Sequence, residues 1–138
     1  MIVCPTICPD RGLYVEQTPV ALISPDAPAD TLGQSVWEAL LSFRASASPD
    51  LASRKKTDWP AYRASGVKTV RAFEGGYVHV SVEAFPCVLR VEATVPARAA
   101  EGLFVGRFIT NACDFGTLGE LIQLVCRCSL QIAEREYG

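Results

Sequence analysis

Apolar residues recur at three- and four-residue intervals in two stretches of the chain and at two-residue intervals between them, so both helical and strand periods are present. Leu32, Val36, Ala39, Leu40 and Phe43 form one helical stripe, widened by Trp37 and Leu41, and predict a helix over about residues 31–46 that buries one side. Thr31-Leu32-Gly33-Gln34 matches a capping box at its start, with a hydroxyl that accepts from the third helical amide and an amide side chain that reaches back. A second box, Thr117-Leu118-Gly119-Glu120, opens a predicted helix over about 117–134, whose apolar side carries Leu118, Leu121, Ile122, Val125, Cys126 and Leu130.

The segments 67–73, 77–84 and 88–95 are rich in β-branched residues and predict an antiparallel meander. Gly75-Gly76 suits a tight turn with positive φ, and Phe85-Pro86 marks the next reversal. Alternation places Val78, Val80, Val82, Leu89, Val91, Ala93 and Val95 inward, with Tyr77, His79, Ser81, Glu83, Arg90, Glu92 and Thr94 on the opposite face. Residues 103–110 add a strand after a loop at 96–102. The first 30 residues hold five prolines, which disfavour long helices, and leave one or two short strands near 13–16 and 20–23. Residues 46–58 read as a polar connection, followed by a helical turn with Asp58 as cap, Pro60 in the first turn, Gly66 at the end, and Trp59 and Tyr62 on its inner side. The sum is an α+β fold: a mainly antiparallel sheet of about 4–6 strands with two main helices packed on one face.

Composition narrows the class. At 138 residues, 49% hydrophobic and 20% charged, the chain reads as a single domain spanning 1–138 with one core. A formal net charge of −2, with no basic stripe, argues against direct nucleic-acid binding. No apolar run approaches the length of a membrane span, and Met1-Ile2-Val3-Cys4-Pro5 lacks the cationic flank and apolar stretch of a secretory signal, so a cytoplasmic location is expected. The six cysteines then read as reduced thiols.

Candidate chemistry is sparse. His79 is the one histidine, and with Glu83 or Glu92 on the same face it offers an acid/base pair for a small enzyme or ligand-binding domain; a solvated, salt-bridged sheet face explains the same residues more simply. Cys4 with Cys8, and Cys126 with Cys128, have spacings that suit a tetrahedral zinc site poorly, the second pair lying about 200° apart on a helix. Gly75-Gly76 precedes a strand, not a helix, and so lacks the amide cradle that holds phosphate. No metal or cofactor is expected. Arg54-Lys55-Lys56 reads as a hydrated loop, and Trp37 as core.

Four segments, Thr31-Leu32-Gly33-Gln34-Ser35-Val36-Trp37-Glu38-Ala39-Leu40-Leu41-Ser42-Phe43-Arg44, Trp59-Pro60-Ala61-Tyr62, Gly66-Val67-Lys68-Thr69-Val70-Arg71-Ala72-Phe73-Glu74 and Leu118-Gly119-Glu120-Leu121-Ile122, together resemble small immunity proteins of contact-dependent growth inhibition systems. That resemblance implies a non-enzymatic antidote that binds a cognate C-terminal toxin domain, often a nuclease, and blocks its active site or substrate surface. The matched positions Leu32, Gly33, Trp37, Phe73, Leu118 and Gly119 read as scaffold. For the toxin-binding surface the candidates are Glu16, Asp58, Glu74, Glu83 and Glu92 as an acidic set facing a cationic cleft, with Trp59, Tyr77 and His79 as anchors. A homodimer is compatible with this reading.

Overall fold

The computed structural model describes residues 1–7, 14–42, 55–95, 103–111 and 114–137. The fold is α+β, with seven strands and four helices among the described residues. Four two-residue strands come first: β1 (Ile2–Val3) pairs antiparallel with β4 (Ala21–Leu22), and β2 (Thr6–Ile7) with β3 (Val15–Glu16). Helix α1 (Ala29–Leu41) follows, then a 3-10 turn at Lys56–Asp58, α2 (Pro60–Ser65) and α3 (Val70–Gly76). The main sheet, β5 (His79–Ala84), β6 (Leu89–Val95) and β7 (Leu103–Thr110), is antiparallel in the order β5-β6-β7, and α4 (Phe115–Tyr137) closes the chain. The strands therefore divide among three ladders, the largest of three strands, where the sequence predicted one sheet of four to six.

Alternation in β6 accounts for the core. Leu89, Val91, Ala93 and Val95 are buried while Arg90, Glu92 and Thr94 between them are half-buried on the outer face. Leu89, Val91 and Ala93 meet Leu32 and Val36 of α1 and Leu118, Ile122 and Val125 of α4, so both main helices cover the same side of the sheet, as the pattern predicts. Each leucine, isoleucine or valine among them contributes roughly 1.5–3 kcal/mol by leaving water. Trp37 and Leu40 pack against this cluster, whereas Leu41 and Leu130, assigned above to the apolar stripes, are exposed.

The helices cross at their glycines. A Cβ on Gly33 would stand 1.9 Å from the Phe115 carbonyl oxygen, and one on Gly119 would stand 1.8 Å from the Ala29 carbonyl oxygen. Since Phe115 precedes Gly119 by four residues and Ala29 precedes Gly33 by four, the contact is reciprocal: each glycine admits the first-turn carbonyl of the other helix. Gln123 Nε2 donates to the Ala27 carbonyl at 3.0 Å and extends the contact outward. The Thr-Leu-Gly triplet shared by both helices is thus a docking device, with leucine as core and glycine as crossing point.

Neither predicted capping box is formed. Helix α1 starts at Ala29 with Pro28 as a non-bonding cap, and Gln34 Nε2 donates to Glu38 Oε1 instead. In α4 the cap is Asp114, whose carboxylate accepts from the Thr117 amide at 2.7 Å and from its hydroxyl at 2.9 Å. The helix extends to Tyr137, beyond the predicted end. Phe43 and the predicted end of the first helix lie outside the described residues.

The segment predicted as strand 67–73 is a helix from Val70. Thr69 Oγ1 accepts from the Ala72 amide at 3.1 Å, a cap that fixes the first turn, and Phe73 packs edge-on against Tyr62 at 5.7 Å and against Tyr77 at 4.9 Å. A local cap and an aromatic contact outweigh the weak strand preference of Val67, Thr69 and Val70. Gly75-Gly76 consequently ends this helix and forms no hairpin. Among the described residues the left-handed glycine is Gly66 (φ 68°), which terminates α2 as expected, with Pro60 in its first turn.

Candidate functional site

The outer face of the three-stranded sheet carries a fixed pattern of charge. Register sets it: Glu83 lies opposite Arg90, Ser81 opposite Glu92, and Glu92 opposite Arg107 of β7. Arg90 Nη2 donates to Glu83 Oε2, Arg107 Nε donates to Glu92 Oε1, and Arg90 Nε lies 3.5 Å from Glu92 Oε1. The Tyr14 hydroxyl donates to Glu83 Oε1, reaching across from just before β3. That hydrogen bond, joined by the Arg90 guanidinium, holds the Glu83 carboxyl below its ordinary range, and the same contact with Glu83 raises Arg90.

Two carboxylates and two guanidiniums balance, so the cluster is neutral overall and strongly structured locally. The Phe85 ring lies 5.1 Å from the Arg90 guanidinium carbon and contributes a cation–π contact. Tyr14 and Phe85 stay 56% and 47% exposed, so the locked charges are bordered by aromatic surface open to solvent.

The remaining candidates divide between two other places. Glu16 is structural: its Oε2 accepts from the Ala61 amide at 2.7 Å and satisfies the first turn of α2 from 45 residues away. Asp58 does not cap α2, whose N-cap is Trp59; its Oδ2 accepts from the Lys55 amide at 3.0 Å and its Oδ1 from Arg63 Nη2 at 2.7 Å. The Lys55 amide, aided by Arg63, holds the Asp58 carboxyl below its ordinary range. Trp59 is half-buried, Glu74 is exposed on α3, and the Tyr77 ring packs at a tilt against Phe73 beside a shallow depression lined by Met1, Leu22, Ile23 and Ser65.

His79 is exposed and lies opposite Thr94. Glu83 is four residues along the same strand, roughly 13 Å away at strand rise, beyond any direct proton transfer. Glu92 is diagonal to His79, roughly 7 Å by strand geometry, and engaged by Arg107. The structure therefore brings Glu83 and Glu92 together through Arg90, places Glu16, Asp58 and Trp59 around the start of α2 and Glu74 and Tyr77 at the end of α3, and keeps His79 out of reach of Glu83.

Among the described residues no group of three or more histidine, cysteine, aspartate or glutamate side chains could hold a metal. Cys4, Cys87, Cys126 and Cys128 are free thiols; Cys8 and Cys113 lie outside the described residues. Burial, followed by the charge of Glu16, pushes the Cys4 thiol up to about 12, and burial also raises Cys126. Neither is an activated nucleophile. No described helix is long and apolar enough to cross a membrane.

Four residues of this face, Tyr14, Phe85, Arg90 and Arg107, are absent from the sequence-based candidates. Strand alternation already put Arg90 on the outer face with Glu83, and a tally of opposite charges across strands would have raised it. Tyr14 has no such signal, because its partner is 69 residues distant. Compared with known protein families, with characterised proteins and with solved structures, the chain matches none.

Proposed function

We propose that the chain is a non-enzymatic immunity protein that binds and neutralises a cognate toxin domain through the outer face of β5-β6-β7. The observation that carries this reading is the prearranged Glu83–Arg90–Glu92–Arg107 ladder with Tyr14 and Phe85 exposed at its border. A surface whose charged side chains are already held by one another loses little conformational entropy on association, and Tyr and Arg are the residues that most often anchor interfaces. The resemblance to immunity proteins of contact-dependent growth inhibition supplies the partner class.

The acidic set takes a different role in this reading from the one the sequence suggested. Glu16, Asp58, Glu83 and Glu92 each accept a hydrogen bond within the chain, so recognition rests on aromatic contact and a matched pattern of paired charges, not on a bare anionic surface. Blocking of a toxin's active site or substrate surface follows from occupancy of that face.

The test is growth of bacteria expressing the C-terminal toxin domain encoded next to this chain. Wild-type protein restores growth, and Tyr14→Ala with Phe85→Ala weakens binding by at least about thirtyfold, two anchor truncations each exceeding about 1 kcal/mol. His79→Ala retains protection; its loss would favour the alternative of an enzyme or ligand-binding domain using His79 with Glu83 or Glu92. Unrescued growth with the wild-type protein would sink the proposal.

A further inference from the structure

The helical layer does not cover the whole sheet. Contacts place α1 beside β5 and α4 over β6, with α4 docked to α1 through Gly116, Gly119 and Gln123 and to the core through Leu118, Ile122 and Val125. At 100° per residue, Leu121, Leu124 and Cys128 fall on the flank of α4 turned away from α1, which is the β7 side. Leu124 and Cys128 are exposed there. Phe108 lies opposite the buried Val91 and so on the helix side, yet it is 41% exposed; Ile109, opposite Arg90 on the outer side, is 67% exposed.

Strand β7 is also an edge. Among the described residues no strand pairs with it on the side away from β6, and between Gly106 and Thr110 it has no lysine, proline or inward charge of the kind that blunts edges. An apolar residue exposed on each face of an eight-residue edge strand marks a pairing site.

We propose that β7 is the self-association edge of this protein, joining a second copy of the chain antiparallel across a two-fold axis to make one six-stranded sheet. A two-fold axis normal to the sheet requires facing residues to share a side, so the register centres on a single residue. Centring on Arg107 would oppose two guanidiniums. Centring on Phe108 instead places the two Phe108 rings together on the helix side and sets Arg107 of each copy beside Ile109 of the other, with no like charges opposed.

The spacing fits a second layer. Across such a seam the two β6 strands stand roughly 14 Å apart, three strand spacings, which is more than the 8–10 Å of directly packed helices. Phe108, Leu124 and Cys128 of both copies fill that gap. The two outer faces, each with its Glu83–Arg90–Glu92–Arg107 ladder, then form one continuous surface, leaving Tyr14 and Phe85 at its far borders.

Sedimentation velocity under reducing conditions tests this, the reductant preventing disulfides through exposed Cys87 and Cys128. The wild-type protein should run at twice the chain mass in the micromolar range. Ile109→Lys should raise the dimer dissociation constant by about a hundredfold or more, since each dimer loses two buried isoleucines, while far-ultraviolet circular dichroism stays unchanged and the concentration dependence of the melting temperature is lost. Leu22→Lys, on exposed β4, should leave the dimer intact. If Ile109→Lys fails to fold, Ile109→Thr serves, with a smaller rise expected. A wild-type protein monomeric at its highest soluble concentration, or a dimer split by Leu22→Lys and not by the Ile109 variants, overturns the proposal.

Discussion

Gly33→Ala and Gly119→Ala should each destabilise the protein, although alanine is the better helix former. In an open helix the exchange stabilises by roughly 1 kcal/mol. At Gly33 the added Cβ would lie 1.9 Å from the Phe115 carbonyl oxygen, about 1.5 Å short of ordinary contact, and at Gly119 it would lie 1.8 Å from that of Ala29. The obstructing atoms are first-turn backbone, which moves only if α1 and α4 separate. A gap of 0.5–1 Å already forfeits a quarter to a half of each dispersion well, and Leu32, Val36, Leu118 and Ile122 all span this contact.

Overpacking of this kind typically costs about 1–3 kcal/mol and occasionally more, and the backbone clash places these sites at the upper end. After the helix gain, a net loss of about 2 kcal/mol remains for each variant. For a domain of this size that lowers Tm by about 6–8 °C. Gly75→Ala is the control: it lies in α3 with nothing within 4 Å of its Cβ, and should gain up to about 1 kcal/mol. Because one separation of the helices relieves both clashes, the double variant should cost less than the two losses combined. Thermal and urea denaturation give all four values. Gly33→Ala behaving like Gly75→Ala would refute the reciprocal crossing.

Three further outcomes follow from individual groups. Ser129 is fully buried in α4 and its Oγ has no hydrogen-bond partner among the described residues, so Ser129→Ala should stabilise by about 1 kcal/mol in urea denaturation, where an equal loss would reveal a bonded hydroxyl. Glu83 titrates below its ordinary 4.5 in the folded chain, so its contribution is present above that value and fades as pH falls through the lower folded one. Glu83→Gln should therefore flatten the acid side of the stability profile, and an unchanged slope would contradict the Tyr14–Glu83–Arg90 contact. Alkylation of the native protein near pH 8, mapped by mass spectrometry, should label exposed Cys87 and Cys128 quickly and Cys4 slowly, since burial keeps Cys4 neutral until about 12. Equal rates would remove that assignment.

Where the sequence was legible, burial on one side imposed a period. The β5 and β6 alternation, the core stripe of α1 and α4, and the end of α2 at Gly66 all follow from residue spacing and glycine conformation. Short elements were not legible in the same way. Thr69 to Gly76 has too few residues for a period to outweigh β-branched composition, and its helix depends on a cap and on Tyr62, which lies elsewhere in the chain. The Thr-Leu-Gly triplets were visible, but they suggested capping because a glycine's role in close approach depends on what approaches. The face formed by Tyr14, Glu83, Phe85, Arg90, Glu92 and Arg107 was half legible: strand register supplies the charged pairs, while Tyr14 arrives through tertiary folding.

Titration calorimetry of the wild-type protein against the toxin domain encoded beside it tests the proposed function most directly, with Tyr14→Ala/Phe85→Ala run in parallel. Binding at nanomolar dissociation constant or tighter, weakened in the paired variant, is the expected result. No heat of binding with a folded toxin domain at micromolar concentrations would contradict the account.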